Sequence, residues 1–455
     1  MVQQMRVILE SLDDTGSVIA REVVMSKSVI KPNSIVDLGL RHSEQIDLLR
    51  HVQHKLLDNQ SVFLKDDFLV CPKCSGKLHK SGSVKSDFYA VFTDHKIAIG
   101  RKVCKSCNWT STPSIRSLFG DASHPDLVKI QTELGANHSF RKSQKLMNLF
   151  STLARSVNSH DRIKRVTEAV GADLAKHPSP NPTNIKSASH LYVQVDGGHV
   201  ATVEQGKRSF EAMTAVVFEA KNIKYTGGIE KKDGSISAVR GQITSKHCAA
   251  SALLDDRCTM KQQTLNAAIK QGMTAETKIT AICDGAANCW DIITSLEKHC
   301  HLVVRILDWH HIAMKFQNTR LGQDALNEQL SGAKWFLWQG LPDKAIMRLK
   351  SIQNSIQEDE TSNNKIQKLL TYIENNSDFI VNYQKRQDEG LIFTSQMAES
   401  TVESLINQRC KGQQHMRWSR EGLHALLQVR SAINSNDWGD ICEQHINDAI
   451  YQKAA

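Results

Sequence analysis

The stretch LYVQVDGG, residues 191–198, is an apolar run that ends on Asp196 and then gives way to two glycines. KITAICDG, residues 278–285, repeats the design: an apolar run, Asp284, then Gly285, Ala286 and Ala287. Both read as buried β-strands with an acid at the tip. A carboxylate placed there, with small residues beside it, can hold a hard divalent cation while the backbone stays clear of the ion. Either aspartate alone would be an ordinary strand-end turn residue. Together they suggest a pair of Mg2+ (or Mn2+) ions able to activate a water or a 3′ hydroxyl at a phosphodiester.

Working outward, MTAVVFEA (213–220) reads as a second strand and the region around Ile243 as a third. KQQTLNAAIKQG (261–272) reads as a helix and VVRILDW (303–309) as a further strand, so residues 188–318 form the first part of an α/β catalytic domain. Residues 319–390 are helical, polar and rich in Gln and Asn, and read as an insertion. Trp335 and Trp338 there are either core residues or a platform for a flipped base. Residues 391–455 return to the catalytic domain as C-terminal helices. Glu399 and Glu403 in this region stand four apart on one helical face, and composition does not choose between them.

Three modules precede the α/β region. Residues 1–62 hold a β-hairpin around Asp13, Asp14, Thr15 and Gly16, then a helix with Ser43 as N-cap and Leu48, Leu49, Val52 and Leu56 on one face. Residues 63–115 carry two CxxC knuckles, Cys71/Cys74 and Cys104/Cys107, joined by the alternating run YAVFTDHKIAIG. Two such turns complete a tetrahedral thiolate site with Zn–S distances of about 2.3 Å, which reads as a zinc ribbon. The thioredoxin-like βαβ setting of a redox CxxC is absent. Four thiolates leave no open position, so the zinc would fold the module rather than do chemistry. Lys73, Lys77, Arg101 and Lys105 surround the knuckles and favour a DNA-facing surface. Residues 116–177 are helical, and SVNSHDRIKRVTEAVG offers Ser159 as N-cap with Arg162, Lys164 and Arg165 near a helix start, as a helix-turn-helix recognition helix requires. The proline-rich HPSPNPTN (177–184) reads as a linker to the α/β region.

The chain of 455 residues carries a formal charge of +9, an excess of Lys and Arg that suits a polyanionic partner. The start, MVQQMRVILESLDD, lacks the apolar core of a signal peptide, and no run is long enough to span a membrane. Eleven cysteines in such a chain argue for reduced thiols and a metal rather than a disulfide scaffold. The expected compartment is a prokaryotic cytoplasm, in association with the nucleoid.

In this order the two aspartates resemble the first two acids of RNase H-like nucleases, whose third acid comes from a late helix packed against the sheet. More specifically VDGG, CDGAANCW, LDWHHIAMKF, MAESTVESLINQR and QQHMRWSREGLHALLQVR resemble bacterial insertion-sequence transposases of the ISKra type, in the Mutator-like DDE branch. The family's glutamate stands about ten residues before an Arg-Xaa-Lys element, which selects Glu399, ten residues before Arg409, over Glu403. The resemblance thus implies Asp196, Asp284 and Glu399 as catalytic acids that bind Mg2+. Asp308 and His311 match its Asp-Xaa-Xaa-His element, whose histidine contacts DNA or braces the site. Arg409, Lys411, Arg417 and Arg420 would track phosphates, and the CxxC front end is also similar to the family's. The implied protein is a multidomain α/β transposase with an RNase H-like domain interrupted by helices. It would cleave strands at transposon ends and join them to target DNA, bind double-stranded DNA at both, and act as a homo-oligomer. The alternative is a transposase-derived, zinc-containing regulator that binds DNA without cutting it.

Overall fold

A computed structural model describes residues 3–177, 185–226, 240–356, 359–395, 403–411 and 416–451. Residues 178–184 of the proline-rich linker (177–184) and Glu399 lie outside the described residues. The chain divides into two compact units, Met1–Val166 and Thr167–Ala455, each described by itself.

The first unit begins with a long antiparallel hairpin, β1 (Gln3–Leu12) and β2 (Val18–Val29). Its turn is built on Asp13, whose Oδ1 accepts the amides of Thr15 and Ser17, as the sequence predicts. Helix α1 (His42–Ser61) starts one residue before the expected cap: Arg41 is the N-cap, and Glu44 accepts its amide. The predicted apolar face of α1 is not buried. Leu49, Val52 and Leu56 are exposed, and Ile46 is the helix's buried residue. A second hairpin, β3 (Leu78–Tyr89) and β4 (Asp94–Cys104), turns within the run expected to bend there. Ile97 and Ile99 of β4 pack with Ile115 of α2 (Ile115–Phe119), and Leu57 of α1 joins them. Helices α3 (Pro125–Asn137), α4 (Phe140–Ser151) and α5 (His160–Lys176) follow. The Ser159 hydroxyl accepts the amide of Arg162, in keeping with its expected capping role. Buried Arg155 donates to the carboxylate of Asp94 and the carbonyls of Ala90 and Val91, holding the β3–β4 turn against this helical segment.

The second unit is built on one mixed five-stranded sheet. Its strands are β5 (His190–Ala201), β6 (Ser209–Phe218), β9 (His247–Ser251), β10 (Lys278–Cys283) and β11 (Leu302–Leu307), in the order β11-β10-β5-β6-β9. β6 and β9 run antiparallel to their neighbours, whereas β5, β10 and β11 are parallel to one another. The strand expected around Ile243 is a short one, β8 (Arg240–Ile243), which pairs with β7 (Ile223–Thr226) outside this sheet. The sheet's third strand in chain order is instead β9, whose run HCAAS is small and buried.

One face of the sheet presents Val193, Val195, Ala215, Val217, Ile279 and Ala281 to α6 (Cys258–Lys270) and α7 (Ala287–Thr294), forming the main apolar core. Period-two alternation puts Tyr192, Gln194 and Asp196 on the other face. After β11 come α8 (Trp309–Asn318) and the helices of the Gln/Asn-rich segment: α9 (Asp324–Trp338), α10 (Pro342–Ser355), α11 (Glu360–Asn375) and α12 (Tyr383–Asp388). The chain ends in α13 (Glu403–Lys411), wound as a π-helix, then α14 (Arg420–Asn434) and α15 (Trp438–Tyr451). No described helix is long and apolar enough to cross a membrane.

Candidate active site and metal centre

The parallel register places three aspartates in a row. Ile282 pairs with Gln194, and Cys283 pairs with Leu307. Continued to the strand tips, this register sets Asp284 level with Asp196 on one side and Asp308 on the other. The Asp308 amide donates to the Cys283 carbonyl at 2.9 Å, which carries the ladder to that level. Parity puts all three on the face away from the α6–α7 core.

The three carboxylates have different surroundings. Asp196 and Asp284 are half-buried. Asp196 Oδ1 accepts the Gly197 amide at 2.7 Å, and Asp284 Oδ1 accepts the Ala286 amide at 2.9 Å. Two partly exposed carboxylates side by side, each oriented by its own turn, are a donor set that fits a hard divalent cation. Asp308 is fully buried and caps α8. Its Oδ1 accepts the amides of His310 at 3.1 Å and Ser395 at 3.0 Å. Its Oδ2 accepts from the Ser395 hydroxyl at 2.5 Å and from His311 Nδ1 at 2.7 Å. Four donors saturate the carboxylate, so it serves as a brace rather than a metal ligand. Burial pushes the Asp308 carboxyl up, but the hydrogen bonds from His311 and Ser395 outweigh it and hold it below the usual range. His311 moves the opposite way. Its hydrogen bond to Asp308 raises it, burial opposes, and the charges of Asp308, Asp284 and Asp196 add to the rise.

Two glycines allow the tips to be approached closely. A Cβ on Gly198 would meet Ile406 Cδ1 of α13 at 3.1 Å, with Lys411 Nζ at 3.6 Å. Gly198 shares the Asp196 side of β5, so α13 lies on the face that bears the acids. Gly285 has φ +92°, and a Cβ there would meet Asn376 Oδ1 at 2.7 Å. The helical segment is therefore docked on the strand ends. The Tyr372 hydroxyl of α11 donates to the Asp284 carbonyl at 2.9 Å, and that of Tyr383 in α12 to the Leu307 carbonyl at 2.7 Å. Tyr372 and Ser395 lie 88 and 87 residues from the groups they hold, and no local sequence signal marks either one.

Glu403 opens α13, is exposed, and accepts from Asn407 of its own helix at 2.8 Å. His199, next to the first site, is exposed as well.

Of the predicted phosphate contacts, Arg409 needs correction. It is 0% exposed, its guanidinium lies 5.2 Å from the Trp418 ring centre, and burial lowers its pKa to about 10. A DNA backbone does not reach such a position. Its short spacing to Lys411 conceals that α13 turns Arg409 inward with Leu405, Ile406 and Cys410. Lys411 and Arg417 are exposed. Arg420 is held by Glu204 at 2.8 Å and lies over Phe210, a structural role. Arg162 is half-buried, donates to Ser123 Oγ at 2.7 Å and lies over Tyr89, whereas Lys164 and Arg165 are exposed. Trp338 is buried in an aromatic cluster with Trp309, Tyr383 and Phe393, while Trp335 is half-exposed at its edge.

In the first unit, Sγ atoms of Cys71, Cys74, Cys104 and Cys107 all lie within 4.8 Å of one another. Each knuckle closes in the same way. The residue after the second cysteine, Ser75 or Asn108, has positive φ, and the first cysteine's amide donates back across the turn, to Gly76 or Trp109. The group could hold a tetrahedral zinc ion. Cys104→Ser is expected to take the protein from one bound zinc per chain to none and to unfold the β3–β4 module. Metal analysis with limited proteolysis checks this, and a variant that keeps full zinc would exclude the four-cysteine site.

Compared with known proteins, residues 265–444 match a family described as Uncharacterised protein family (UPF0236). The match takes in Asp284, Asp308, the helical segment and α13, but neither Asp196 nor the four cysteines. No curated protein matches the chain. Among solved structures, the Drosophila P element transposase strand transfer complex is similar over 69% of this chain and 93% of that one, at 10% identity and a TM-score of 0.30.

Proposed function

We propose that this protein is a DDE-type DNA transposase with an RNase H-like catalytic domain. One observation carries the reading: the parallel register that sets Asp196 and Asp284 side by side at adjacent strand tips, under the face that α13 covers. An antiparallel β5–β6–β9 meander followed by two parallel strands, with α8 and α9–α12 leading to a late helix on the acid-bearing face, suits an RNase H-like domain with a helical insertion. Asp196, Asp284 and, from the segment before α13, Glu399 would hold Mg2+ or Mn2+, which when bound supplies Lewis acidity at the scissile phosphate. The turn amides of Gly197 and Ala286 fix the two aspartate carboxylates before substrate arrives. Exposed Lys411, Arg417, Lys164 and Arg165 would neutralise phosphates, and the zinc module would help bind the element's ends. Water would cleave a strand to leave a 3′ hydroxyl, and that hydroxyl would then attack target DNA. The working protein would be a homo-oligomer on double-stranded DNA, in the prokaryotic cytoplasm with the nucleoid.

The test uses purified protein and a duplex carrying the terminal inverted repeat that borders its coding region, with a target plasmid. The expected result is a Mg2+-dependent nick with a 3′ hydroxyl, and joined products in which end and target are covalently linked. Tight end binding without cleavage in either Mg2+ or Mn2+ would favour the non-catalytic regulator.

A further inference from the structure

We propose that α1 is a dimerisation helix, whose exposed stripe of Leu49, Val52 and Leu56 packs against the same stripe of a second copy of this chain. This surface would build the homo-oligomer of the reading above, and it rests on that oligomer rather than on the cleavage chemistry.

The helix has four sides, and three already have their surroundings. Toward the first hairpin, Glu44 holds Lys27 at 2.6 Å, Lys55 reaches Glu22 at 3.3 Å, and the Asn59 amide donates to Ser11 Oγ at 3.1 Å. Ile46, Arg50 and Leu57 share a second side. There Ile46 is buried, Leu57 joins Ile97, Ile99 and Ile115, and Arg50 Nε donates to the Phe92 carbonyl at 3.1 Å. A third side is polar and open to water, with Asp47, His51 and Asp58 exposed. The fourth carries Leu49, Val52 and Leu56, which are 50, 38 and 52% exposed. At 3.6 residues per turn these three fall within roughly 60° of arc. Asp47, His51 and Asp58 already give the helix its solvated face, so the apolar side is a contact surface.

Spacing, charge and area identify the occupant. Leu49, Val52 and Leu56 stand three and then four residues apart, the interval at which paired helices seat each other's side chains. Two copies of α1 satisfy each other about a two-fold axis, because each supplies the stripe that the other lacks. A polyanion does not suit this module. Residues 1–62 hold seven Lys and Arg against eight Asp and Glu, a net charge of −1 in a chain of +9. Arg21, Lys27, Arg50 and Lys55 are moreover paired with Glu10, Glu44, Asp47 and Glu22. Ile35, Val36 and Leu38 ahead of the helix, and Val62 and Phe63 behind it, are also exposed. With the stripe they offer roughly 800 Å² of surface, close to the ~800 Å² per partner of a standard stable interface. Ile46 is the one buried residue of 3–62, so this module has almost no core of its own, and the covered stripe would extend it.

The experiment is sedimentation equilibrium of the full chain at micromolar concentration. Wild type is expected to be a dimer. Leu49→Lys/Leu56→Lys and Leu49→Glu/Leu56→Glu should each be monomeric, the like charges raising the dimer Kd about 10²-fold or more. Mixed one to one, the two variants should form a heterodimer, a recovery that misfolded chains would not give. Met347→Lys, at an exposed methionine of α10 outside this module, should remain dimeric. If the charged variants fail to fold, Leu49→Ala/Leu56→Ala decides. Shortening exposed leucines spares the fold, and the dimer Kd should still rise about tenfold or more. Stripe variants that dimerise as wild type does overturn this surface and leave the homo-oligomer standing, as does a folded Lys and Glu pair that fails to recover on mixing. A monomeric wild type overturns the surface, and the homo-oligomer with it if an end duplex does not restore a dimer. In such a monomer, end-duplex binding weakened by Glu and strengthened by Lys would assign the stripe to DNA instead.

Discussion

Asp284→Asn is expected to abolish strand cleavage while leaving end binding nearly unchanged, and Asp196→Asn should do the same. Asparagine keeps the size and can still accept the Ala286 amide that orients Asp284, so the turn at Gly285 has no reason to collapse. It loses the negative charge that would offset a divalent cation between two half-buried carboxylates. Metal ions at such sites contribute several kcal/mol of transition-state stabilisation. At about 1.4 kcal/mol per factor of ten, the expected loss is about 10³-fold or more. On the proposed reading, end binding would depend on basic side chains and the zinc module, which neither substitution touches. The measurement is single-turnover cleavage of an end duplex beside a gel-shift titration of the same DNA. Cleavage by Asp284→Asn at near the wild-type rate would remove the strand-tip pair from the mechanism.

Glu399→Gln should be as damaging as the aspartate substitutions, and Glu403→Gln nearly silent. Glu403 is exposed and, among the described residues, accepts from Asn407 of its own helix. Surface substitutions of that kind usually change energies by no more than about 0.5 kcal/mol, or roughly twofold in rate. Glu399 stands one helical turn earlier in sequence, ahead of the helix whose Ile406 and Lys411 press on β5 beside Asp196. If it completes the acid set, removing its charge costs the same several kcal/mol, and cleavage falls by orders of magnitude. Paired cleavage assays of the two variants decide the register. A large loss in Glu403→Gln with a mild one in Glu399→Gln would mean that the family likeness has been aligned one turn out of phase.

Local pattern was enough for several parts of this protein. The strand-tip positions of Asp196 and Asp284 were legible because an apolar run of strand length followed by an acid and small residues reads as a buried strand ending in a turn. The four cysteines were legible because a CxxC spacing by itself turns two thiolates toward one point. The hairpin turn at Asp13 and the cap at Ser159 rest on hydrogen bonds spanning four residues or fewer, so they too are written in adjacent sequence. What depends on distant partners was not legible. Arg409 reads as a phosphate contact until α13 turns it over Trp418. The apolar stripe of α1 reads as a buried face, yet the described structure leaves Leu49, Val52 and Leu56 exposed. The β-prone run around Ile243 pairs with β7, and the main sheet takes β9 instead, because strand pairing is settled between segments and not within one. Asp308 shows most plainly where sequence ends and tertiary structure begins. Its place before Trp309 and His310 marks a helix cap, but its saturation by Ser395 and its level position beside Asp284 and Asp196 exist only once three strands lie in register. Periodicity determines which way a side chain points from its own element. Only the packing of elements far apart in the chain determines what it then meets.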